Sequence, residues 1–405
     1  MAKKARYFKI TIYVLILIII VAWGYYLKTG SDPTGVVKIT RTQATELYNK
    51  VKQFVGGVEI EKAKKTSVSP TSTIAEGDWW QVYFTDPNNV NNPENIQGSI
   101  VEKLIHHINR AQKSIHIASF EFNLTPVAEA LIDAKQKGVE VLWVTDDEHG
   151  LEADEEEDHG QFALLIKNGI KVKTDERRSL MHNKFWIFDG QVVWTGSTNI
   201  TKNGIFRNNN NVIILHSPEL ALIFEREFQE MWNGEFGVSS PSTINEQQVN
   251  INNTPVEVMF AAEDDVIKRL VKLIDSAQNS IYFMAFSFTQ DEMGRALEKK
   301  ARAGLTIKGI FETRGSEVEY SELARLYRAK VPVRQDGNPR TFHHKVFVID
   351  EKILVTGSFN FSNNASKRND ENVVIITHPQ IATLYLEEFE RRWVEAKEPD
   401  PKDLL

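Results

Sequence analysis

Two segments of this chain carry the same six residues at the same internal gaps. His182, Lys184, Asp189, Gly196, Ser197 and Asn199 recur as His343, Lys345, Asp350, Gly357, Ser358 and Asn360, in the spacing H-x-K-x4-D-x6-G-S-x-N. A motif doubled in register requires a structural unit built twice. If each segment opens as a strand, side chains two apart share a face, so His182 lies with Lys184 and His343 with Lys345. The runs Phe185–Phe188 and Val346–Ile349 read as buried sheet, and Gly196 and Gly357 end the next apolar runs in turns. Across a two-fold axis, two such units surround one pocket with two imidazoles, two ammoniums and two amides. Ammoniums and amides suit the non-bridging oxygens of a phosphodiester. Two imidazoles suit a nucleophile on one side of phosphorus and a proton donor on the other.

The doubled motif resembles that of the phospholipase D superfamily, over roughly residues 79–396. The resemblance implies an α/β fold of two tandem α/β/α sandwich repeats around a pseudo-two-fold axis, with the site between them. It implies hydrolysis or exchange of phosphodiesters through a phosphohistidine, without a metal or other cofactor. On the matching positions it gives the catalytic set His182, His343, Lys184, Lys345, Asn199 and Asn360, with Ser197 and Ser358 as further phosphate contacts. Asp189 and Asp350 are structural in that family, which agrees with their place before turns, at Asp-Gly and Asp-Glu.

The repeat extends beyond the motif. The stripe Ile100, Val101, Leu104, Ile105, Ile108 recurs as Val266, Ile267, Leu270, Val271, Ile274. Each stripe leads into Ala-Gln-x-Ser-Ile, at Ala111 and Ala277, and then into Phe120-Glu121-Phe122 or Phe286-Ser287-Phe288. Phe228 and Trp232 correspond to Phe389 and Trp393. The domain reading is therefore an N-terminal span over 1–27, a linker over 28–78, a first repeat over 79–237 and a second over 255–396. Within the linker, Ala44, Leu47, Val51 and Phe54 fall at helical spacing, followed by a Ser/Thr-rich tether.

One difference between the halves bears on mechanism. Glu371 lies eleven residues after Asn360, where the first half has Asn210 eleven after Asn199. In the family a residue at this place, often acidic, hydrogen-bonds the histidine of its own half. A carboxylate favours a protonated imidazole and an amide does not. The expectation is thus His182 as neutral nucleophile and His343, backed by Glu371, as general acid.

Other features read more plainly. His106 and His107 are neighbours on a helix and point about 100° apart. His344 faces away from His343. The stretch from Asp146 to Asp158 holds nine acidic residues and His149, in no ligand spacing, and reads as a solvated loop. If it borders the pocket, it repels long polyanions.

Ile10 to Leu27 is free of charge and long enough to span a bilayer, behind Lys3, Lys4, Arg6 and Lys9. It reads as an uncleaved signal anchor, with the N-terminus cytoplasmic and the catalytic region outside the cell membrane. The motif fixes the bond and leaves the groups attached to it open. The anchor, the net charge of −7 and the acidic loop favour a phospholipid in a membrane over a nucleic acid. A nuclease, a phosphatidyl transferase resembling cardiolipin synthase and a binding module are the alternatives. No obligatory protein partner is evident, because the two halves complete one site.

Overall fold

The computed structural model describes residues 73–241 and 247–404, all within one compact unit that begins at Ser69. The expected anchor and nearly all of the linker lie outside the described residues. Among the described residues, no helix is long and apolar enough to cross a membrane.

The first half runs β1 (Thr73–Glu76), β2 (Trp80–Phe84), α1 (Ile100–Arg110), β3 (Ser114–Ser119), α2 (Thr125–Gln136) and β4 (Glu140–Thr145). It continues through α3 (Gln161–Lys167), β5 (Lys171–Thr174), β6 (Lys184–Phe188), β7 (Val192–Gly196), α4 (Lys202–Phe206), β8 (Asn211–His216) and α5 (Pro218–Trp232). The second half repeats this as β9 (Gln248–Ile251), β10 (Thr254–Ala261), α6 (Val266–Ser276), β11 (Ser280–Ala285), α7 (Asp291–Arg302) and β12 (Thr306–Phe311). Then follow α8 (Glu322–Arg328), β13 (Val333–Gln335), β14 (Lys345–Ile349), β15 (Ile353–Gly357), α9 (Asn363–Lys367), β16 (Glu371–Thr377) and α10 (Pro379–Glu395).

Each half forms a mixed eight-stranded sheet, ordered β1-β2-β8-β7-β6-β3-β4-β5 and, equivalently, β9-β10-β16-β15-β14-β11-β12-β13. The repeat boundaries drawn from sequence are too tight. Strands β1 and β9 start before residues 79 and 255, and beyond 396 Lys397 bridges to Gln335 while Leu404 is buried in the second core.

Amphipathic helices cover the outer face of each sheet. Helix α1 buries Ile100, Val101, Leu104 and Ile108, and α6 buries Val266, Ile267, Leu270, Leu273 and Ile274. Between the sheets, α5 and α10 enter a core shared by both halves, where Phe224 packs edge-on against Phe260 and Phe84 against Tyr385. Each such buried aromatic contributes roughly 1.5–3 kcal/mol through loss of apolar area to water. The halves are thereby locked as one body, with the motif strands β6 and β14 buried on both faces.

The motif aspartates have a clear structural use. Asp189 accepts the backbone N–H groups of Gln112, Lys113 and Ser114 at 2.7–3.1 Å, and Asp350 those of Gln278, Asn279 and Ser280 over the same range. Each ties the end of a motif strand to the Ala-Gln-x-Ser-Ile turn, which accounts for that turn's recurrence. The motif glycines have a different one. Gly196 and Gly357 adopt φ 144° and 141°, and a Cβ on either would strike the carbonyl oxygen of Asn211 or Asn372. Gly357→Ala is expected to lower stability by roughly 1–3 kcal/mol in denaturant unfolding. Gly304→Ala, with positive φ but open space around it, should cost less, and equal losses would contradict the close approach.

Candidate active site

The two motif histidines precede their strands, which begin at Lys184 and Lys345 rather than at the histidines themselves. What fixes them is the opposite half. The His182 N–H donates to the Asp370 carbonyl at 2.9 Å, and the His343 N–H to the Asn209 carbonyl at 2.8 Å. The segment that opens β16 therefore lies along the first motif, and the segment that opens β8 along the second. One residue further along each segment is the side chain that meets the imidazole. Glu371 Oε2 lies 2.7 Å from His182 Nδ1, while Asn210 Oδ1 and the Ser197 carbonyl each lie 3.0 Å from His343 Nδ1. The expected own-half pairing of Glu371 with His343 is therefore wrong. The two-fold axis exchanges the segments, so the carboxylate belongs to His182 and the amide to His343.

All four cationic or basic motif side chains are buried, His182 and His343 at 5% and 8% exposure and both lysines at 1%. Lys184 Nζ donates to the His182 carbonyl at 2.8 Å and Lys345 Nζ to the His343 carbonyl at 3.0 Å. An ammonium has three N–H groups, so each retains donors for a ligand. Phe120 packs edge-on against His182 and lies beneath Lys184; Phe286 does the same for His343 and Lys345. Burial, with the neighbouring ammoniums second, holds both imidazoles well below their ordinary pKa. Burial lowers Lys184 to about 8 and Lys345 well below the usual lysine range, and pushes Glu371 up to about 8 against the pull of Lys184.

Ser197 and Ser358 do not serve as expected. A hydroxyl has one proton to give, and theirs go to Asn210 Oδ1 and Glu371 Oε2 at 2.8 Å. Their oxygens also accept the Asn211 and Asn372 N–H groups. Fully buried, they orient the histidines' partners and have no donor left for phosphate. Behind them, Asn372 joins Thr195 and Asn183, while Asn211 joins Thr356, Tyr385 and His344. His344 is thus a core residue, held also by Glu388 at 3.3 Å.

Asn199 and Asn360 both keep a buried Oδ1 without a partner among the described residues. Asn199 Nδ2 donates to Glu121 Oε2 at 2.8 Å, a contact the second half lacks because Ser287 stands at that place. Motif reading missed Glu121; aligning the two halves residue by residue exposes it. Asp146 and Glu312, at equivalent places, accept the N–H groups of Met181 and Phe342 and so hold the residue before each histidine. The acidic loop is ordered against this site. His149 lies against Phe120, Asp154 caps the start of α3, and Asp158 pairs with Lys202. Lys173 and Arg334 lie over the rings of Trp232 and Trp393.

A model described as the cardiolipin synthase, PLD-like domain matches residues 104–232 and 270–393, one match per half and together more than half of the chain. The chain belongs to the phospholipase D superfamily. The mitochondrial cardiolipin hydrolase of mouse is 33% identical over 129 residues, 32% of this chain and 58% of that protein. A phospholipase D of Rickettsia bellii is 33% identical over 139 residues, 34% of this chain and 69% of that protein. The chain spans little more than half the length of its mammalian relatives, 58% of the mouse and 52% of the human protein. In fold it resembles the crystal structure of phosphatidylserine synthase from Haemophilus influenzae Rd KW20, with a TM-score of 0.58 and 13% identity over 78% of this chain and 86% of that one.

The crossed pairing has a direct spectroscopic consequence in this superfamily member. Glu371→Gln replaces the carboxyl group in contact with His182 Nδ1 and should change that ring's 15N shifts while leaving those of His343 in place. A response confined to His343 would restore the own-half pairing.

Proposed function

We propose that this chain is a membrane-anchored phosphodiesterase of phospholipase D type that hydrolyses phospholipids through a phosphohistidine on His182, with His343 as general acid. The observation that carries the reading is the Glu371 carboxylate at 2.7 Å from His182 Nδ1, against a neutral amide and a carbonyl at His343. His182 remains the nucleophile expected from sequence, for the opposite reason. Phosphorylation at Nε2 places positive charge on the imidazole, and of the two rings it is His182 that touches a carboxyl group, whose ionised form Lys184 and Lys345 favour and which balances that charge.

The steps follow from these contacts. Lys184, Lys345, Asn199 and Asn360 take the non-bridging oxygens. His182 donates its Nδ1–H to Glu371 and attacks phosphorus with the Nε2 lone pair. The ester bond on the far side breaks, and the departing oxygen receives a proton from Nε2 of His343. That ring keeps its Nδ1–H on Asn210 and Ser197. Burial between two ammoniums disfavours a charged His343 in the free site, and the incoming phosphodiester anion offsets them. Water then enters on the His343 side and loses a proton to His343. Its oxygen bonds to phosphorus as the N–P bond breaks, which returns both histidines to their starting states.

Two features support a lipid. The span Ile10 to Leu27 suits an anchor that holds the site at a bilayer, on its outer side. The acidic loop, fixed beside Phe120 and Lys202, disfavours a polynucleotide track. The full chain should release head groups from phospholipid vesicles, and His182→Ala should reduce this by about a hundredfold or more. Chelator should leave the rate unchanged. Cleavage of single-stranded DNA or RNA without lipid turnover would replace this reading with a nuclease.

A further inference from the structure

Beside the segment that holds His343 is a cavity of about 430 Å³, lined among others by Asn88, Arg207, Asn209, Asn338, Arg340 and Arg392. Arg392 is neutralised by Glu388 and Glu395. The other two guanidiniums are not. Arg207 donates to the Asn203 side chain, and neither it nor Arg340 forms an ion pair among the described residues. Both are exposed residues on the wall of the cavity.

The pseudo-two-fold axis shows what this place lacks. At the equivalent position in the first half, Arg177 pairs with the buried carboxylate of Asp370, which also accepts the Gly237 N–H. In the second half Asn338 replaces the arginine and Asn209 the aspartate. Asn338 Nδ2 donates to Asn209 Oδ1 at 2.7 Å, and Asn209 Nδ2, in a residue only 1% exposed, has no acceptor among the described residues. A buried amide without its bond is destabilising unless a ligand supplies an acceptor. Two unpaired guanidiniums and one unpaired amide call for an anion with several oxygens, and a phosphate meets that geometry.

We infer that this cavity is a second phosphate subsite, which takes a phosphate carried by the leaving alcohol. The inference rests on the proposed function for its choice of side. Asn209 accepts the His343 N–H through its carbonyl, and Asn210, the next residue, holds the His343 ring. The subsite thus borders the group that protonates the leaving oxygen. A lipid is favoured over a polynucleotide because the anion donors occupy one side only. The first-half side carries Asp147, Glu148 and the rest of the acidic loop, which a polyanionic strand would have to cross.

The test compares phosphatidylglycerol with phosphatidylglycerol phosphate, at equal surface fraction in phosphatidylcholine vesicles, using the full chain and its Arg207→Gln/Arg340→Gln variant. The full chain should favour the phosphate-bearing lipid by about tenfold or more in kcat/KM, and in the variant the ratio should fall close to one. No preference in the full chain, or a preference that survives the substitutions, overturns the subsite. Hydrolysis of bis(p-nitrophenyl) phosphate reads the chemistry separately. If that ester is cleaved and both lipids are inert, the lipid reading fails by itself. Titration of glycerol 3-phosphate into His182→Ala chain, with and without the two arginine substitutions, then decides the subsite. A tenfold loss of affinity supports it and an unchanged affinity overturns it. Turnover of oligonucleotides in place of both lipids overturns the choice of a lipid.

Discussion

The arrangement of this site depends on one exchange of chain segments. Each motif histidine is hydrogen-bonded through its backbone to the other half, His182 to Asp370 and His343 to Asn209. Those bonds set the position of the next residue, Glu371 or Asn210, against the imidazole. Neither half can therefore orient its own histidine. The shared core around Phe185, Phe224, Phe260 and Tyr385 is what makes the exchange rigid, because it fixes one sheet against the other. A network of buried amides and hydroxyls continues the crossing behind the histidines, from Thr195 to Asn372 and from Thr356 to Asn211. In a dry environment such a network tolerates little movement, since each lost bond leaves a buried polar group unpaired.

Burial is the second constraint. Two lysines and two histidines with almost no exposure form a pocket in which positive charge is costly until an anion enters. The site answers this with carboxylates placed mostly on one side. Glu371 touches His182, Glu121 holds Asn199, and Asp146 fixes the residue before His182; the second half offers Asn210, Ser287 and Glu312 at the same places. A scaffold of near-symmetric geometry thereby becomes electrostatically one-sided. That one-sidedness is what separates the proposed nucleophile from the proposed acid.

Much of this was legible in the sequence, and the failures have physical causes. Periodicity and the repeat gave the paired helices α1 and α6, the buried motif strands and the turn-bound aspartates. They did so because local pattern reports which face of an element is apolar. The partner of His182 was not legible in that way. The own-half pairing that the family resemblance implied sets Glu371 beside His343, whereas the axis carries it across. Pairings between the halves, such as Met181 with Asp370, residues 189 positions apart, reveal the crossing. The serines misled for a related reason. A hydroxyl next to a motif glycine reads as a ligand donor, yet its single proton is already committed to Asn210 or Glu371. Glu121 stood in plain view as the unmatched residue between Phe120 and Phe122, but no motif contains it.

The most direct test of the account is to catch the covalent intermediate. A phosphodiester substrate carrying 32P in the retained group is mixed with His343→Ala chain and quenched within one turnover, and the labelled peptide is mapped by mass spectrometry. The crossed carboxylate predicts label on His182, in acid-labile linkage, and none in His182→Ala. Label on His343 in the His182→Ala chain, with none on His182 in its counterpart, would contradict the claim that Glu371 selects the nucleophile.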